Sequence, residues 1–142
     1  WTIFDEVGKS YMKIDFISLQ VHGDERGALV SLERKNNIPF DIRRVYYIFD
    51  TKKGVTRGFH AHRKLKQVAI AVKGSCRFLL DDGTERIEVV LDNPAQGLLI
   101  ESYIWREMYD FSSDCVLMIL ANSHYDEKDY IRDYDDFLKK AN

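Results

Sequence analysis

With 142 residues, 45% of them hydrophobic and 13% aromatic, the chain can bury roughly two thirds of the surface it exposes when unfolded, so one domain without a disulfide staple suffices. A formal charge of -2 and a dispersed set of lysines and arginines exclude a strong polyanion-binding bias, and no basic run points to nucleic acid. No segment approaches the apolar length of a membrane span, and the N-terminus lacks the charged and apolar regions of a signal peptide.

Because the chain starts at Trp1, residues 1–11 are expected to be an extension or the junction with an upstream domain of a longer parent, and residues 12–142 the domain proper. Within that domain Lys13 to Leu19 alternates as a strand, Gly23 to Gly27 turns, and Ala28 to Glu33 reads as a second strand. Asn36 to Phe40 is a loop around Pro39, and Arg43 to Phe49 is a strong β run. A strand carrying His60 and His62 follows, then Gln67 to Val72, closed by a Lys-Gly turn.

Ser75 to Leu80 continues as a strand, D-D-G at Asp81 to Gly83 signals a hairpin, and Glu85 to Leu91 returns. After the turn Asp92 to Gly97 come Leu98 to Glu101, Trp105 to Phe111 and Cys115 to Ala121. Cys76 and Cys115 fall inside apolar strands and read as buried free thiols, which fits the cytoplasm. Only Tyr130 to Lys140 has helical spacing, with Ile131, Tyr134 and Leu138 on one side. Short strands at this spacing predict an all-β sandwich or small barrel with a short C-terminal helix.

Gly54 to Gly74, G-V-T-R-G-F-H-A-H-R-K-L-K-Q-V-A-I-A-V-K-G, is the stretch that carries chemistry. His60 and His62 are two apart, so on a strand both imidazoles project from one face. Its spacing matches the first motif of the cupin superfamily, which implies a jelly-roll barrel. In metal-binding members two histidines, a glutamate and a later-strand histidine hold a divalent ion. Here Gln67 takes the acidic position, and W-R-E-M, after the Pro94 to Gly97 turn, offers Arg106 in place of the last histidine. A guanidinium has no lone pair to donate, so no metal cofactor is expected and the histidines are free for acid-base work.

Arg57, beside Gly58, offers a forked donor set suited to phosphate. Tyr46 and Tyr47 alternate across their strand, so one ring faces inward and the other outward. The inward hydroxyl needs a partner and is a candidate substrate contact.

R-R-V-Y-Y-I-F-D, R-G-F-H-A-H-R-K-L, D-N-P-A-Q-G-L, W-R-E-M and H-Y-D-E-K-D-Y-I-R-D-Y together resemble the sugar-nucleotide 3,4-ketoisomerases that act on dTDP-4-keto-6-deoxyglucose. That resemblance, from Met12 to Lys140, implies a metal-free cupin homodimer that moves a hexose carbonyl from C4 to C3 for deoxyamino-sugar synthesis. By the same resemblance His60 is the expected base and His62 its proton-shuttling partner, and Tyr46, Tyr47 or Arg106 steadies the enediolate. Arg57, Arg26, Arg106 and Gln67 are the expected substrate-binding residues.

Arg26-Gly27 follows the subgroup that forms the galacto product and Arg106 the one that forms the gluco product, while the wider phrasing sides with galacto. The role of Tyr125 and the acidic stretch after it is left open. The rival readings are a 3,5-epimerase on the same nucleotide sugar and a non-catalytic nucleotide-sugar-binding cupin.

Overall fold

The structure, a computed structural model, describes residues 2–4 and 10–141. In chain order the strands are β1 (Thr2–Phe4), β2 (Ser10–Met12), β3 (Asp15–Ser18), β4 (His22–Asp24), β5 (Gly27–Leu29), β6 (Arg44–Ile48) and β7 (Arg57–His62). They continue with β8 (Gln67–Lys73), β9 (Cys76–Asp81), β10 (Arg86–Leu91), β11 (Gln96–Ile100), β12 (Trp105–Tyr109) and β13 (Val116–Ala121). A 3-10 turn at Glu127–Asp129, a two-residue β14 (Tyr130–Ile131) and helix α1 (Tyr134–Ala141) end the described chain.

Two five-stranded sheets, ordered β10-β9-β12-β7-β14 and β3-β11-β8-β13-β6, make up the predicted all-β jelly roll, with β1-β2 and β4-β5 as separate hairpins. The expected boundary between residues 11 and 12 falls inside β2, whose Met12 pairs with Thr2. Trp1 and residues 5–9 of the expected extension lie outside the described residues.

Alternation decides what fills the space between the sheets. On β8, Ala69 and Ala71 join Phe78, Leu80, Leu98, Ile100, Leu117 and Ile119 in the main core. The intervening Val68 and Ile70 pack on the other side against Ile38, Phe40 and Leu120. A strand covered on both faces reads as an unbroken apolar run, which is why V-A-I-A-V shows no alternation. Gln67 has the parity of Ala69 and Ala71, so its amide points into the barrel and is only 2% exposed.

Two expected elements differ. The strand expected over Ala28 to Glu33 ends at Leu29. Val30 and Leu32 instead pack into the cluster of Leu19, Ile38, Phe40 and Leu120 beside Val68 and Ile70 of β8. The helix expected from Tyr130 starts only at Tyr134. Tyr130 and Ile131 pair with His62 and Ala61 along the free edge of β7. Asp133 then begins the helix by accepting from the Asp136 N–H at 2.9 Å. Phe137, Ile131, Trp105 and Ala61 form a small core of their own under α1. Cys76 and Cys115 are free and buried, as expected.

Candidate active site

A β-bulge shapes the histidine strand. His60 pairs with Arg106 and Gly58 with Glu107, so Phe59 is the extra residue on β7. The turn this requires puts Gly58 at φ 98 and Phe59 at φ 56. Any Cβ at Gly58 would lie 2.8 Å from the Arg106 carbonyl oxygen, so only glycine permits the approach.

The bulge brings the Gly58 carbonyl 3.0 Å from His60 Nδ1. Nδ1–H donates to that oxygen, which leaves the lone pair on Nε2. His62 Nδ1–H donates to the Asp129 carboxylate at 3.1 Å. The backbone N–H groups of Lys64 and Leu65 hold the same carboxylate at 2.8 and 3.2 Å. His62 Nε2 is buried without a partner. The two imidazoles stand edge to face with centroids 4.9 Å apart, and the Tyr130 ring contacts both, at 4.9 and 4.4 Å.

Burial, followed by the Arg106 cation, lowers the His60 pKa to about 4. The same two causes in the same order hold His62 lower still, to about 2. Both rings are therefore neutral near pH 7. Arg106, 2% exposed, donates through Nη1 to Gln67 Oε1 and through Nη2 to the Ile104 carbonyl at 2.9 Å. Burial brings even this guanidinium down to about 10, which leaves it charged at neutrality.

His60 opens on a cavity of about 570 Å3 that Arg44, Arg57 and Arg132 also line, together with Tyr46, Tyr125 and Tyr130. Arg132 lies 4.1 Å over the Tyr130 ring and is gripped by Glu127 at 2.7 and 2.9 Å. Arg44 covers the Tyr46 ring at 4.9 Å, and its Nε is buried without a partner. Three guanidiniums beside a neutral imidazole suit an anionic ligand that must also give up a proton. His62 opens instead on a smaller cavity of about 180 Å3, which shares Arg44 and Tyr130 with the first.

The structure brings His60, Tyr46 and Arg57 together, with His62 behind them. Four of the expected residues lie away from the cavity that holds His60. Tyr47 faces outward, 60% exposed against Phe49, because β6 turns Tyr46 inward. Gln67 and Arg106 line neither cavity, since each is buried and bonded to the other. Arg26 sits at the tip of the β4-β5 hairpin, 84% exposed and paired with Asp24, away from the cavity of its own chain.

Arg44, Asp129, Tyr130 and Arg132 were not singled out by the sequence. The last three lie in H-Y-D-E-K-D-Y-I-R, whose role was left open; the signal was there but its partner, His62, is 67 residues away from Asp129. The donor set does not fit a divalent metal. Beside the histidines stand an amide already spent on Arg106 and a guanidinium without a lone pair, and no group of three or more metal-ligating side chains occurs among the described residues. Nor is any helix among them long and apolar enough to cross a membrane.

A histidine held below its ordinary 6.5 binds its proton more weakly folded than unfolded. Its contribution to stability is complete above about pH 6.5 and is lost as pH falls toward 4, at up to about 1.4 kcal/mol per pH unit for each such group. Urea midpoints should drop across that window, and His62→Asn should flatten the drop. An unchanged slope in the variant would contradict the assignment.

Residues 12–142 match the family described as FdtA: WxcM-like, C-terminal. The chain is 60% identical over 116 residues to a TDP-4-oxo-6-deoxy-alpha-D-glucose-3,4-oxoisomerase of Aneurinibacillus thermoaerophilus, covering 82% of this chain and 84% of that one. It superposes on a 3,4-ketoisomerase from Helicobacter canadensis with a TM-score of 0.89, at 44% identity over 92% of this chain and 98% of the other. It also matches a histidine-to-asparagine mutant of the 3,4-ketoisomerase QdtA from Thermoanaerobacterium thermosaccharolyticum in complex with TDP-4-keto-6-deoxyglucose. There the TM-score is 0.88 and the identity 44%, over 90% of this chain and 93% of the other. With its motifs in order and its fold in register with these relatives, the chain belongs to the sugar-nucleotide 3,4-ketoisomerase family.

Proposed function

We propose that the protein is a cofactor-independent isomerase that moves the carbonyl of TDP-4-keto-6-deoxyglucose from C4 to C3. The observation that carries this reading is the single cavity holding His60, with Nδ1 tied to Gly58 and Nε2 left as a base, among three arginines. The similarity to a relative named for this reaction supports it. Arg57, Arg44 and Arg132 hold the diphosphate, and the hexose lies toward His60.

The proton on C3 is acidic because the neighbouring C4 carbonyl takes up the electron pair. His60 Nε2 removes it, the C3–H bond breaks, C3=C4 forms and the negative charge collects on O4. The imidazolium then returns the proton to C4. As C3=O forms, the proton of the C3 hydroxyl passes to O4 beside it, while His62, edge to face with His60 at 4.9 Å, holds that ring in place. No electrons leave the substrate, so the step balances without a redox partner. A pKa of about 4 makes His60 a weak base alone, but the enediolate beside it favours the imidazolium as the charge develops.

Stereochemistry follows from one base, His60, removing and returning the proton on one face of the sugar. In the substrate's chair the C3 hydrogen is axial, and a proton returned to C4 from the same face leaves the C4 hydroxyl axial, the galacto configuration. The product feeds a reaction class that aminates a 3-keto sugar. Its nucleotide-linked substrate and two reduced thiols fit a cytoplasmic enzyme.

Proton NMR of a reaction in H2O should show the ketone at C3 with a small H4–H5 coupling, and His60→Asn should lower the rate at least about 1,000-fold. Unchanged substrate with folded wild-type protein would defeat the reading, and a large coupling would defeat the galacto assignment.

We further propose a homodimer in which Arg26 serves the partner's cavity. Two observations support it. The β4-β5 hairpin, with Leu29 59% exposed, projects Arg26 away from its own site, and the edge strand β6 presents Val45 and Tyr47 outward, with Phe49 exposed just after it. Mixing and re-annealing Arg26→Ala with His60→Asn should then restore activity that neither variant has alone. A monomer in sedimentation, or no restoration, would refute it.

A further inference from the structure

Gln67 lies where the cupin pattern calls for a metal-ligating acid, yet it is 2% exposed and lines neither histidine cavity, so it does not meet a substrate there directly. Its amide joins two residues from different sheets. Arg106, on β12, donates to Oε1; Nε2 in turn donates to the Tyr46 hydroxyl oxygen at 3.0 Å.

Which way round the amide sits is fixed by chemistry. A guanidinium has donors and no acceptor, so only the amide oxygen can face Arg106, and the NH2 must face Tyr46. That NH2 can only donate, so it occupies a lone pair of the tyrosine oxygen and leaves the hydroxyl proton unspent. Tyr46 lines the same cavity as His60, and its proton has that cavity to point into. We propose that Gln67 is a positioning residue: locked end for end by Arg106, it makes the Tyr46 hydroxyl an obligate donor toward the oxyanion that develops on O4.

This proposal rests on the ketoisomerase reading above. It explains why an amide, and not the acid, occupies position 67. A carboxylate there would accept from Arg106 equally well, but it would also accept the Tyr46 proton and turn the hydroxyl away from substrate. The amide also hands part of the Arg106 charge to the phenol. Burial raises the Tyr46 pKa while the Gln67 hydrogen bond and the Arg106 cation oppose that rise, which keeps the hydroxyl a better donor than burial alone would leave it.

The test is Gln67→Glu, which keeps volume and pairs a buried carboxylate with a buried guanidinium. With TDP-4-keto-6-deoxyglucose, kcat should fall about 100-fold or more, the loss typical of removing one oxyanion donor, while KM changes by less than about threefold. Tyr46→Phe should match it, and the double variant should fall no further than Tyr46→Phe alone. Gln67→Glu retaining more than about a third of the wild-type kcat, or losses that multiply in the double variant, would overturn the relay. If Gln67→Glu does not fold, Tyr46→Phe decides alone: full kcat overturns the proposal, and a 100-fold loss at unchanged KM supports it. A wild-type chain that leaves substrate unchanged would instead overturn the reaction on which the proposal rests.

Discussion

The Arg106 guanidinium sits inside the barrel, paired with no carboxylate among the described residues and bonded to an amide oxygen and a backbone carbonyl. Burying a charge without a counter-ion is costly, and removing such a group's partners typically destabilises by several kcal/mol, so the surrounding residues must be arranged to hold it. Much of the site follows from that one cation. It is the second-largest cause, after burial, of the low pKa of both histidines, and it fixes the orientation of Gln67. Where the cupin pattern expects a later-strand histidine, this chain has a permanent positive charge that shapes the proton chemistry without taking part in it.

Two local devices let the sequence keep that charge next to a base. The bulge at Phe59 changes the register between β7 and β12, so that Arg106 lies opposite His60 while His60 Nδ1 finds the Gly58 carbonyl. The C-terminal segment then closes the other edge. β14 pairs with His62 and Ala61, which puts Tyr130 against both imidazoles and Asp129 against His62 Nδ1. Each imidazole is thereby held in one tautomer with Nε2 unprotonated, one facing the larger cavity and the other the smaller. Arg132 and Arg44 stack over tyrosine rings at the mouth, so the cations that would meet a diphosphate are positioned before it arrives.

How much of this was legible depends on whether the deciding contact is local. The common face of His60 and His62 follows from a spacing of two, and the lack of metal ligands from the residue types at 67 and 106. Alternation required Tyr46 and Tyr47 to face opposite ways but could not say which faced in; the choice is made by Gln67, from the neighbouring part of the sheet. Helical spacing over Ile131, Tyr134 and Leu138 extended the helix too far back, because it carries no information about the free edge of β7 that captures Ile131. Motif likeness placed Arg26 in the substrate site, yet within one chain it belongs to a solvent-facing hairpin. Asp129 illustrates the limit: a tie across 67 residues has no local signature in a single sequence.

The central claim is that one neutral imidazole carries a proton between C3 and C4 and leaves the rest of the sugar untouched. Turnover of TDP-4-keto-6-deoxyglucose in D2O, followed by NMR of the product, tests it most directly. A 3-keto product should carry at C4 the hydrogen taken from C3, diluted by deuterium only as far as the imidazolium exchanges with solvent, and should keep the original hydrogen at C5. Deuterium at C5 without movement of the ketone would mark an epimerase and contradict it.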